Sequence, residues 1–445
     1  MLKRRSSDAA LNAQTTPDLG GRSGPTSVPV DTADRVFKEL NTTVNIDAMA
    51  QLPRDQVLEE LESGIANIAG EQRLNLTAKE QRELARQFAD EVTGAGPLQS
   101  LLDDDRVSDI MVNGPKTVFV EIRGKLVKTD VRFRDEQHLR QLAQRIARSV
   151  GRRLNESNPT VDARLKDGSR VNIVMPPVSL IGTVMSIRRF PNSPITLDQM
   201  NQTGTLDKGM RSFLELAARA RLNIIISGGT GSGKTTLLNA CSAFIGSEER
   251  IVTIEDAAEL RLQQPHIISL ETRPATTEGA HEITQRELVK NALRMRPDRI
   301  ILGEIRAGEA FDMLQAMNTG HDGSMSTMHA NTPRDAIARL ENMILMAGYD
   351  LPIRAIRTQI VSAIDIIVQV ERMPDGQRRI VNICEVCGME GDTLALHDLF
   401  NFEVTESKAG RIVGSFKNTN ATPRSIMDKL SRFGLQTQMK AIFNG

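Results

Sequence analysis

The sequence is poor in aromatic residues, with no Trp, one Tyr and an aromatic share of 3% over 445 residues. Proteins that hold single-stranded nucleic acid stack its bases on aromatic side chains, so this shortage counts against a single-strand translocase. Charge of one sign is also lacking, because 56 Lys and Arg balance 56 Asp and Glu. Without a net positive field there is no general attraction for nucleic acid or for an anionic membrane. We therefore expect no nucleic-acid partner.

Cysteine is scarce too, and the three that occur are Cys241, Cys384 and Cys387. So few thiols cannot build a disulfide framework in a chain of this length, which favours a reducing compartment. Long hydrophobic runs are missing, since no window reaches the roughly 18 apolar residues that a membrane span requires. The basic start at Lys3 is followed by a polar stretch rather than by the apolar core of a signal peptide. The sequence predicts a cytoplasmic protein.

The length leaves room for about two to four domains, and changes in composition and patterning divide the chain. We predict a disordered arm over 1–30, a helical module over 31–93, an α+β domain over 97–190, a linker over 191–204, a parallel-sheet domain over 205–425 and a C-terminal tail over 426–445. The α+β prediction rests on short β-rich runs around one amphipathic helix. In the parallel-sheet domain, continuous apolar runs such as Ile251 to Ile254 indicate strands buried on both faces.

The clearest motif is a complete G-x-x-x-x-G-K-[ST] pattern. Its residues are Gly228, Gly229, Thr230, Gly231, Ser232, Gly233, Lys234, Thr235 and Thr236. It follows the apolar run Ile224 to Ser227 and precedes a helical pattern, so backbone amides and a helix N-terminus can surround a phosphate. We expect Lys234 to neutralise the β- and γ-phosphates and Thr235 to direct its hydroxyl to Mg²⁺. The motif predicts a nucleotide site.

Acidic residues are expected near this loop, because they follow predicted strands of the same sheet. The run Ile251 to Ile254 leads into Asp256 and Glu259, and a second buried run ends in Glu304. Ligands of open α/β sheets bind at the carboxyl ends of the strands. We expect Glu304 to hold Mg²⁺ through water, and Glu259 or Glu304 to orient and deprotonate the attacking water.

The segment from Thr319 to Thr332 carries two of the six histidines, His321 and His329, among hydroxyl and amide groups. A polar run of this kind after a β/α unit can sense a γ-phosphate through hydrogen bonds. A lone histidine more often has a structural hydrogen-bonding role, but this pair lies close in sequence to Glu304. We therefore expect this segment, and His329 above all, to respond to the nucleotide.

Together these elements resemble the ATPases of type II secretion, type IV secretion and type IV pili. The segments that match are the glycine-rich loop Gly228 to Thr236, called the P-loop below, together with Ile254 to Glu259, Leu302 to Arg306, and Ser326 to Asn331. Four further stretches narrow the resemblance to the CpaF/TadA branch, the motor of tight-adherence (Flp) pili: Asp109 to Gly114, Asp162 to Asn172, Leu293 to Asp298 and Gly388 to Asp392. The resemblance covers residues 100–405, approximately, and is less specific outside them.

This resemblance implies an α/β fold in which a RecA-like P-loop NTPase domain follows a smaller α+β, PAS-like domain and an N-terminal helical module. It also implies ATP and Mg²⁺ as ligands, a homo-oligomer expected to be a hexamer, and inner-membrane pilus platform proteins as partners. The protein would then be peripheral to the inner membrane through those partners. In the family, arginines from the N-terminal domain complete the nucleotide site. The matching positions here are Arg164 and Arg170, with Arg189 as a weaker third.

Three functions remain open at this point. The leading one is a motor that hydrolyses ATP to drive pilus assembly. The sequence does not distinguish a motor for assembly from one that also drives retraction. The second is a nucleotide-gated scaffold of a secretion apparatus with little turnover. The two acids at strand ends favour the enzyme, because a pure binding module needs no base to activate water. The third is a small-molecule or nucleic-acid P-loop enzyme, against which the charge balance and the low aromatic content count.

The sequence departs from part of the resembled family in its cysteines. Several relatives carry a tetracysteine zinc module, which needs two C-x-x-C pairs to supply four thiolates. This chain has one such pair, Cys384 and Cys387, within a predicted strand. Alternation along a strand places these two side chains on opposite faces of the sheet. We therefore expect both to be buried packing residues and expect no zinc.

Overall fold

The computed structural model describes residues 28–44, 49, 52–122, 124–165, 167–189, 194–273, 281–408 and 411–443. The chain divides into two compact units, Met1–Asn192 and Ser193–Gly445. Almost all of the arm expected over 1–30 lies outside the described residues. Among the helices that are described, none has both the length and the apolar character needed to cross a bilayer.

The first unit begins with helices whose apolar faces form a small core of their own. In the described residues they are α1 (Val30–Thr43), α2 (Arg54–Glu71) and α3 (Ala78–Thr93), followed by a 3₁₀ turn (Gly96–Leu98) and α4 (Gln99–Leu102). Thr77 and Glu80 form a capping box, which satisfies two backbone N–H groups at the start of α3. Phe88 of α3 packs on Phe37 of α1 with ring centroids 5.2 Å apart.

An antiparallel sheet and one helix complete the first unit. Its elements are β1 (Val107–Asn113), β2 (Val118–Ile122), β3 (Lys125–Lys128), α5 (Glu136–Ser149), β4 (Thr160–Arg164), β5 (Arg170–Val174) and β6 (Val184–Arg188). The strand order is β3-β2-β1-β6-β5-β4. Helix α5 buries Leu139, Leu142 and Ile146 in the core that the sheet also lines. This arrangement is an α+β layer, and its assignment as PAS-like stays a prediction.

The second unit is built on a larger mixed sheet. Its elements are α6 (Leu197–Gln202), α7 (Lys208–Arg219), β7 (Ile224–Gly228), α8 (Lys234–Ser242), β8 (Ile251–Glu255), β9 (Ile267–Glu271), α9 (Gln285–Ala292), β10 (Arg299–Ile305), α10 (Glu309–Asn318), β11 (Met325–Met328), α11 (Pro333–Met346), α12 (Ile353–Ala363), β12 (Ile366–Arg372), β13 (Arg378–Glu390), β14 (Thr393–Lys408), β15 (Arg411–Asn418), α13 (Met427–Arg432) and α14 (Gln436–Phe443). The strand order is β15-β14-β13-β12-β7-β11-β10-β8-β9.

The strands from β12 to β9 in this order are parallel, and β13, β14 and β15 are added antiparallel at one side. Helices cover both faces of the parallel part, so its strands have an apolar core on each side. Within β7, Ile224 and Ile226 belong to one core and Ile225 to the other. The prediction of an α/β fold from continuous apolar runs is confirmed.

Two segments differ from their sequence-based description. The segment expected to be a linker over 191–204 contains α6, and residues 190–193 lie outside the described part. The segment expected to be a tail over 426–445 folds onto the second unit. Its residues Leu430, Met439 and Phe443 are buried, and the Phe443 ring lies 6.2 Å from that of Phe213 on α7. Short helices of this kind show too few turns for their apolar period to stand out in a sequence.

The expectation that both cysteines of β13 are buried is wrong for one of them. Cys384 is fully buried, whereas Cys387 is exposed. The pairing of β13 with β14 shifts between Val386 and Gly388. Cys387 lies on the face opposite Cys384, as alternation predicts, since its Sγ is 3.5 Å from Oε2 of Glu385. At the bulge, however, Cys387 has no residue paired with it on β14, and its side chain is open to solvent.

Candidate nucleotide site

The P-loop joins the end of β7 to the start of α8, and its shape depends on glycine. Gly231 and Gly233 have φ values of 71° and 98°, a region that side chains with a Cβ rarely adopt. A Cβ on Gly228 would lie 2.2 Å from the carbonyl oxygen of Val370 on β12. The intervening residues 229–231 are exposed. The loop is therefore a fixed, solvent-facing cradle of backbone N–H groups at a helix N-terminus.

Lys234 bends back over this cradle. Its Nζ donates hydrogen bonds to the carbonyl oxygens of Gly228 and Gly229, at 3.1 and 2.9 Å. The residue is only 7% exposed. Burial lowers the pKa of the Lys234 ammonium, and the nearby charge of Glu304 opposes that shift. The ammonium is thus held at the mouth of the loop, where phosphate oxygens could replace the carbonyls as acceptors.

Two further features suit a bound nucleotide and its metal ion. The hydroxyl of Ser232 is buried within the loop and, in the described part of the chain, has no hydrogen-bond partner, so a ligand oxygen could satisfy it. Thr235 lies in the first turn of α8 beside Lys234. With the carboxylate of Glu304 it offers the oxygen donors that Mg²⁺ prefers. The residues present therefore fit a nucleotide phosphate with Mg²⁺.

Glu304 occupies an irregular position near the end of β10, where the pairing with β11 shifts between Leu302 and Ile305. Its Oε1 lies 3.0 Å from Nε2 of His329, and its Oε2 accepts a hydrogen bond of 2.7 Å from Arg306. The side chain of Glu304 remains 19% exposed. Both carboxylate oxygens of Glu304 therefore have partners. If a metal ion or a water molecule bound to Glu304, Arg306 and His329 would have to move away or share the oxygens with it.

Arg306 extends this network to the next strand. Its Nη1 lies 2.9 Å from Asp256, which follows β8, and Asp256 in turn accepts from Gln285 at 2.9 Å. The hydrogen bond to Glu304 raises the pKa of Arg306, and the charges of Asp256 and Glu259 act in the same direction. The carboxyl ends of neighbouring parallel strands thus bring together the acids that the sequence separates by about 50 positions.

Glu259 is placed by a buried carboxylate. The backbone N–H groups of Glu259 and Leu260 donate to Oε1 of Glu255, at 2.8 and 3.0 Å, and Glu255 is 3% exposed. A Cβ on Gly303 would lie 2.8 Å from Cγ of Glu255, so this position in β10 needs a glycine. The acid at the end of β8 therefore organises the loop that carries Glu259.

The two histidines of the predicted pair lie at opposite ends of β11. His329 follows the strand and contacts Glu304, whereas His321 precedes it, with Nδ1 lying 3.2 Å from the carbonyl oxygen of Ala316. Burial lowers the pKa of His329 and the charge of Lys234 lowers it further, while Glu304 opposes both. Only His329 joins the cluster around the P-loop, and His321 has a local role in a turn.

Sequence reasoning missed two residues that hold this site together. Gln369 on β12 donates to the carbonyl oxygens of Ala330 and Asn331, at 3.1 and 3.0 Å, and also contacts Ser227 at the end of β7. It is a single polar residue inside a buried strand, which is the signal that could have found it. Arg378 donates to the carbonyl oxygen of Gly231 at 3.0 Å, and nothing in the sequence pointed to that contact.

Arg164 and Arg170 lie in the first unit, directly opposite each other on β4 and β5. Arg170 is in turn opposite Arg188 on β6, and Arg188 is opposite Asp109 on β1, with an ion pair of 3.2 Å. Side chains directly opposite each other in antiparallel strands share a face. The three arginines therefore form a row, which we call the arginine row.

Arg189, the weaker third candidate, has a different setting. Its side chain is 7% exposed and donates to the carbonyl oxygens of Asp104 and Val107 within the same unit, the latter at 2.9 Å. These contacts connect β6 to the segment before β1. The geometry gives Arg189 a structural role in the first unit.

A glycine-rich loop between a parallel strand and a helix, with acids on the neighbouring strand ends, defines the second unit as a P-loop α/β domain. Comparison with known proteins extends this class to a family. The sequence model of the family described as "Type II/IV secretion system protein" matches residues 91–423. The chain belongs to the type II/IV secretion system ATPase superfamily. The resemblance read from the motifs is confirmed at this level.

The chain is also similar to individual proteins. A Mycobacterium tuberculosis protein named for conjugal transfer is 39% identical over 331 residues, covering 69% of this chain and 94% of its own length. The type IV secretion system protein PtlH of Bordetella pertussis is 38% identical over 64% of this chain and 92% of its own. The crystal structure of the Brucella suis VirB11 ATPase with sulphate is 31% identical over 65% of this chain and 95% of its own, with a TM-score of 0.36.

Proposed function

We propose that this chain is the ATP-hydrolysing motor of a tight-adherence (Flp) pilus, of the CpaF/TadA type, working as a hexamer on inner-membrane platform proteins. The secretion ATPase family is given by the comparisons, and the four motif stretches that resemble the CpaF/TadA branch support the narrower assignment. The names of the relatives, which refer to conjugal transfer and type IV secretion, support work at a membrane apparatus. The motor would lie on the cytoplasmic side of the inner membrane through these partners.

The observation that carries the proposal is the arrangement of Lys234 and Glu304. An ammonium held by loop carbonyls at 2.9 and 3.1 Å can exchange them for phosphate oxygens without moving far. The charge of Glu304 acts on the same ammonium, so one acid lies beside the place where the γ-phosphate would be. Phosphoryl transfer depends on this kind of positioning and charge stabilisation rather than on covalent chemistry.

Binding of a nucleotide would be completed by the loop itself. Backbone N–H groups of residues 229–233 would donate to the phosphates, as would the hydroxyl of Ser232. Thr235 and, through water, Glu304 would hold Mg²⁺, which neutralises charge on the phosphates when it is bound. The remaining residues of the motif would shape or flank the cradle; they are Gly228, Gly229, Thr230, Gly231, Gly233 and Thr236.

Water activation would fall to Glu304 or Glu259. The exposed part of Glu304 and its place at a strand end suit a general base, and Glu259 lies on the loop organised by Glu255. His329 would report the presence of the γ-phosphate, because it contacts Glu304 and its pKa responds to the charge of Lys234. A change in the surroundings of Lys234 would thereby alter His329 and the adjacent residues Ala330 and Asn331, which Gln369 holds by hydrogen bonds.

The arginine row supports a contribution from a second subunit. Arg164 and Arg170 lie directly opposite each other on β4 and β5, at the positions that match the family arginines, and their guanidinium groups would donate to a triphosphate bound to a neighbouring subunit. A guanidinium that reaches the γ-phosphate stabilises transition-state charge and couples nucleotide occupancy to domain movement. This role would make the active site depend on oligomer formation.

One observation favours a second function, a nucleotide-gated scaffold with little turnover. Both oxygens of Glu304 have close partners, Arg306 at 2.7 Å and His329 at 3.0 Å. A carboxylate engaged in this way is a poor base until the partners move. If they stay in place when ATP binds, the protein would hold nucleotide and organise its partners without hydrolysing it.

Steady-state phosphate release separates the two functions. The wild-type chain, Lys234→Ala, Glu259→Gln and Glu304→Gln would be compared at concentrations that allow oligomers to form, with Lys208→Ala on the exposed start of α7 as the control. For the motor, we expect Lys234→Ala to lower turnover by about 100-fold or more and Lys208→Ala to leave it unchanged. Equal and slow release by the wild type and by both glutamine variants would favour the scaffold.

A further inference from the structure

A second cluster of ligand-type side chains lies in the antiparallel part of the large sheet, on the hairpin of β13 and β14. Glu385 on β13 is directly opposite His397 on β14, and Cys387 follows at the bulge. One ligand atom from each of the three residues lies within 4.8 Å of the others. Oε2 of Glu385 is 3.5 Å from Sγ of Cys387 and 3.7 Å from Nδ1 of His397.

The two distances measured from Glu385 are close to the edges of a metal-binding tetrahedron. Bond lengths of about 2.0 Å to oxygen, 2.1 Å to nitrogen and 2.3 Å to sulfur place neighbouring ligand atoms about 3.3–3.6 Å apart. The two separations measured from Glu385 differ from this range by no more than small side-chain adjustments. Three protein ligands with a fourth position left to water is a usual arrangement for zinc.

Glu385 gives the cluster its rigidity. Its side chain is fully buried, and its Oε1 accepts hydrogen bonds from the backbone N–H groups of Arg424 and Ile426, both at 3.0 Å. The carboxylate is therefore fixed from behind, and its Oε2, which also accepts from the N–H of Arg424 at 3.2 Å, lies beside Cys387 and His397. Backbone donors of this kind orient a first ligand in established metal sites.

Charge also favours a cation here. Within the described residues, the side chains beside the buried carboxylate of Glu385 are the imidazole of His397 and the thiol of Cys387, and its other hydrogen-bond donors are backbone N–H groups. A divalent ion would replace the thiol proton, which passes to solvent, and would balance the charges of the carboxylate and the thiolate. A thiolate, an imidazole and a carboxylate together favour Zn²⁺ over the hard ions Mg²⁺ and Ca²⁺.

We propose that Glu385, Cys387 and His397 bind one thiophilic divalent cation, with Zn²⁺ as the preferred ion. The site differs from a tetracysteine module, since it uses one thiolate, one imidazole and one carboxylate. It revises our expectation of no zinc, which rested on the single C-x-x-C pair and on the expectation that Cys384 and Cys387 are both buried packing residues. The bound ion would tie the hairpin to residues 424–426, from which α13 and α14 continue.

The test uses the full-length chain after chelator treatment and dialysis, without nucleotide and with excess Mg²⁺ to saturate oxygen-ligand sites. Co²⁺ is the probe, because a cobalt–thiolate bond gives a charge-transfer band in the near ultraviolet. We expect the band to saturate at one ion per chain and to disappear when Zn²⁺ is added. Cys387→Ser and His397→Ala should each weaken binding by about 100-fold or more, since each removes a ligand.

Cys384→Ala is the matched control, because it removes the buried thiol three positions away, and it should keep the band. Circular dichroism of the metal-free variants checks that each is folded. If Cys387→Ser does not fold, His397→Ala, at a half-buried surface position, tests the same site. The proposal fails if the folded wild-type chain shows no thiolate band. It also fails if the band survives in Cys387→Ser or is lost only in Cys384→Ala.

Discussion

The two ends of strand β10 carry ion pairs of opposite character. At its start, Arg299 is fully buried and forms two hydrogen bonds of 2.7 Å with Glu249, whose side chain is 5% exposed. Near its end, Glu304 is 19% exposed and Arg306 58% exposed. The first pair is enclosed and fully satisfied, whereas the second faces solvent beside the P-loop. One strand thus has a structural pair and a candidate functional pair.

Surroundings explain the difference. Arg299 also donates to the carbonyl oxygens of Ala218 and Gly323, at 2.8 and 3.3 Å. A Cβ on Gly323 would lie 2.5 Å from Nη1 of Arg299, and this glycine has a φ of 85°, so both space and backbone conformation require glycine there. No comparable enclosure surrounds Glu304 in the described residues. An ion pair that must exchange partners with a ligand needs access to solvent. A structural ion pair is instead enclosed, so that its hydrogen bonds stay in place.

The largest expected effect is on stability at the buried end. Arg299→Met should lower the free energy of unfolding by roughly 3–5 kcal/mol, because it leaves the buried carboxylate of Glu249 with a weaker set of partners. Urea unfolding followed by circular dichroism measures the change. The same substitution at the other end, Arg306→Met, is the control and should cost less than about 1 kcal/mol, as expected for an exposed pair. Equal losses for the two variants would remove the distinction between the two ends.

At the exposed end, Glu304→Gln should lower ATP turnover by about 1,000-fold while leaving stability nearly unchanged. The amide keeps the size of the side chain but cannot accept a proton from water. Phosphate release and urea unfolding on the same preparations measure both properties. Glu282→Gln, on an exposed loop, controls for loss of a surface charge. Full turnover by Glu304→Gln would show that Glu304 is not the general base and would leave Glu259 as the candidate.

The arginine row extends the comparison to the first unit. Arg164→Ala and Arg170→Ala should each lower turnover by about 100-fold at concentrations where oligomers form, because each removes a donor to transition-state charge. Binding of a fluorescent ATP analogue should change little. Arg188→Ala is the control in the same row, because this 59% exposed residue is not one of the positions that match the family arginines, and it should retain most of the activity. Native mass measurement shows whether the variants still assemble, and a wild type that remains monomeric with ATP would refute a contribution from a neighbouring subunit.

The smallest effect concerns pH. Burial and the charge of Lys234 hold the pKa of His329 below the ordinary histidine value of about 6.5. The unfolded chain therefore takes up this proton first as pH falls, so the stabilising contribution of the neutral ring is complete above about pH 6.5 and declines below it. Turnover should fall about tenfold through the acid range as His329 protonates. In His329→Gln this part of the pH profile should be absent, and an unchanged profile would assign the titration to another group.

Local patterns in the sequence were enough for part of the site. The P-loop spacing, with Lys234 at its end, depends on contiguous residues whose chemistry dictates their conformation. Glu304 could be expected at the sheet edge because a buried run ends there. The partners of Glu304 could not be expected, since Arg306 and His329 reach it only through the order of β10 and β11 in the sheet. Gln369 and Arg378 come from still more distant strands.

By itself, the sequence determined that this protein has an aliphatic α/β core, a phosphate-binding loop and acids at strand ends, since these follow from periodicity and from motifs within a few residues of one another. Only the tertiary structure decided which charges meet and how exposed they are. It paired Arg299 with Glu249, separated His321 from His329, and turned Cys387 outward beside Glu385 and His397. Such outcomes depend on strand order, register and bulges, which arise when distant segments pack together.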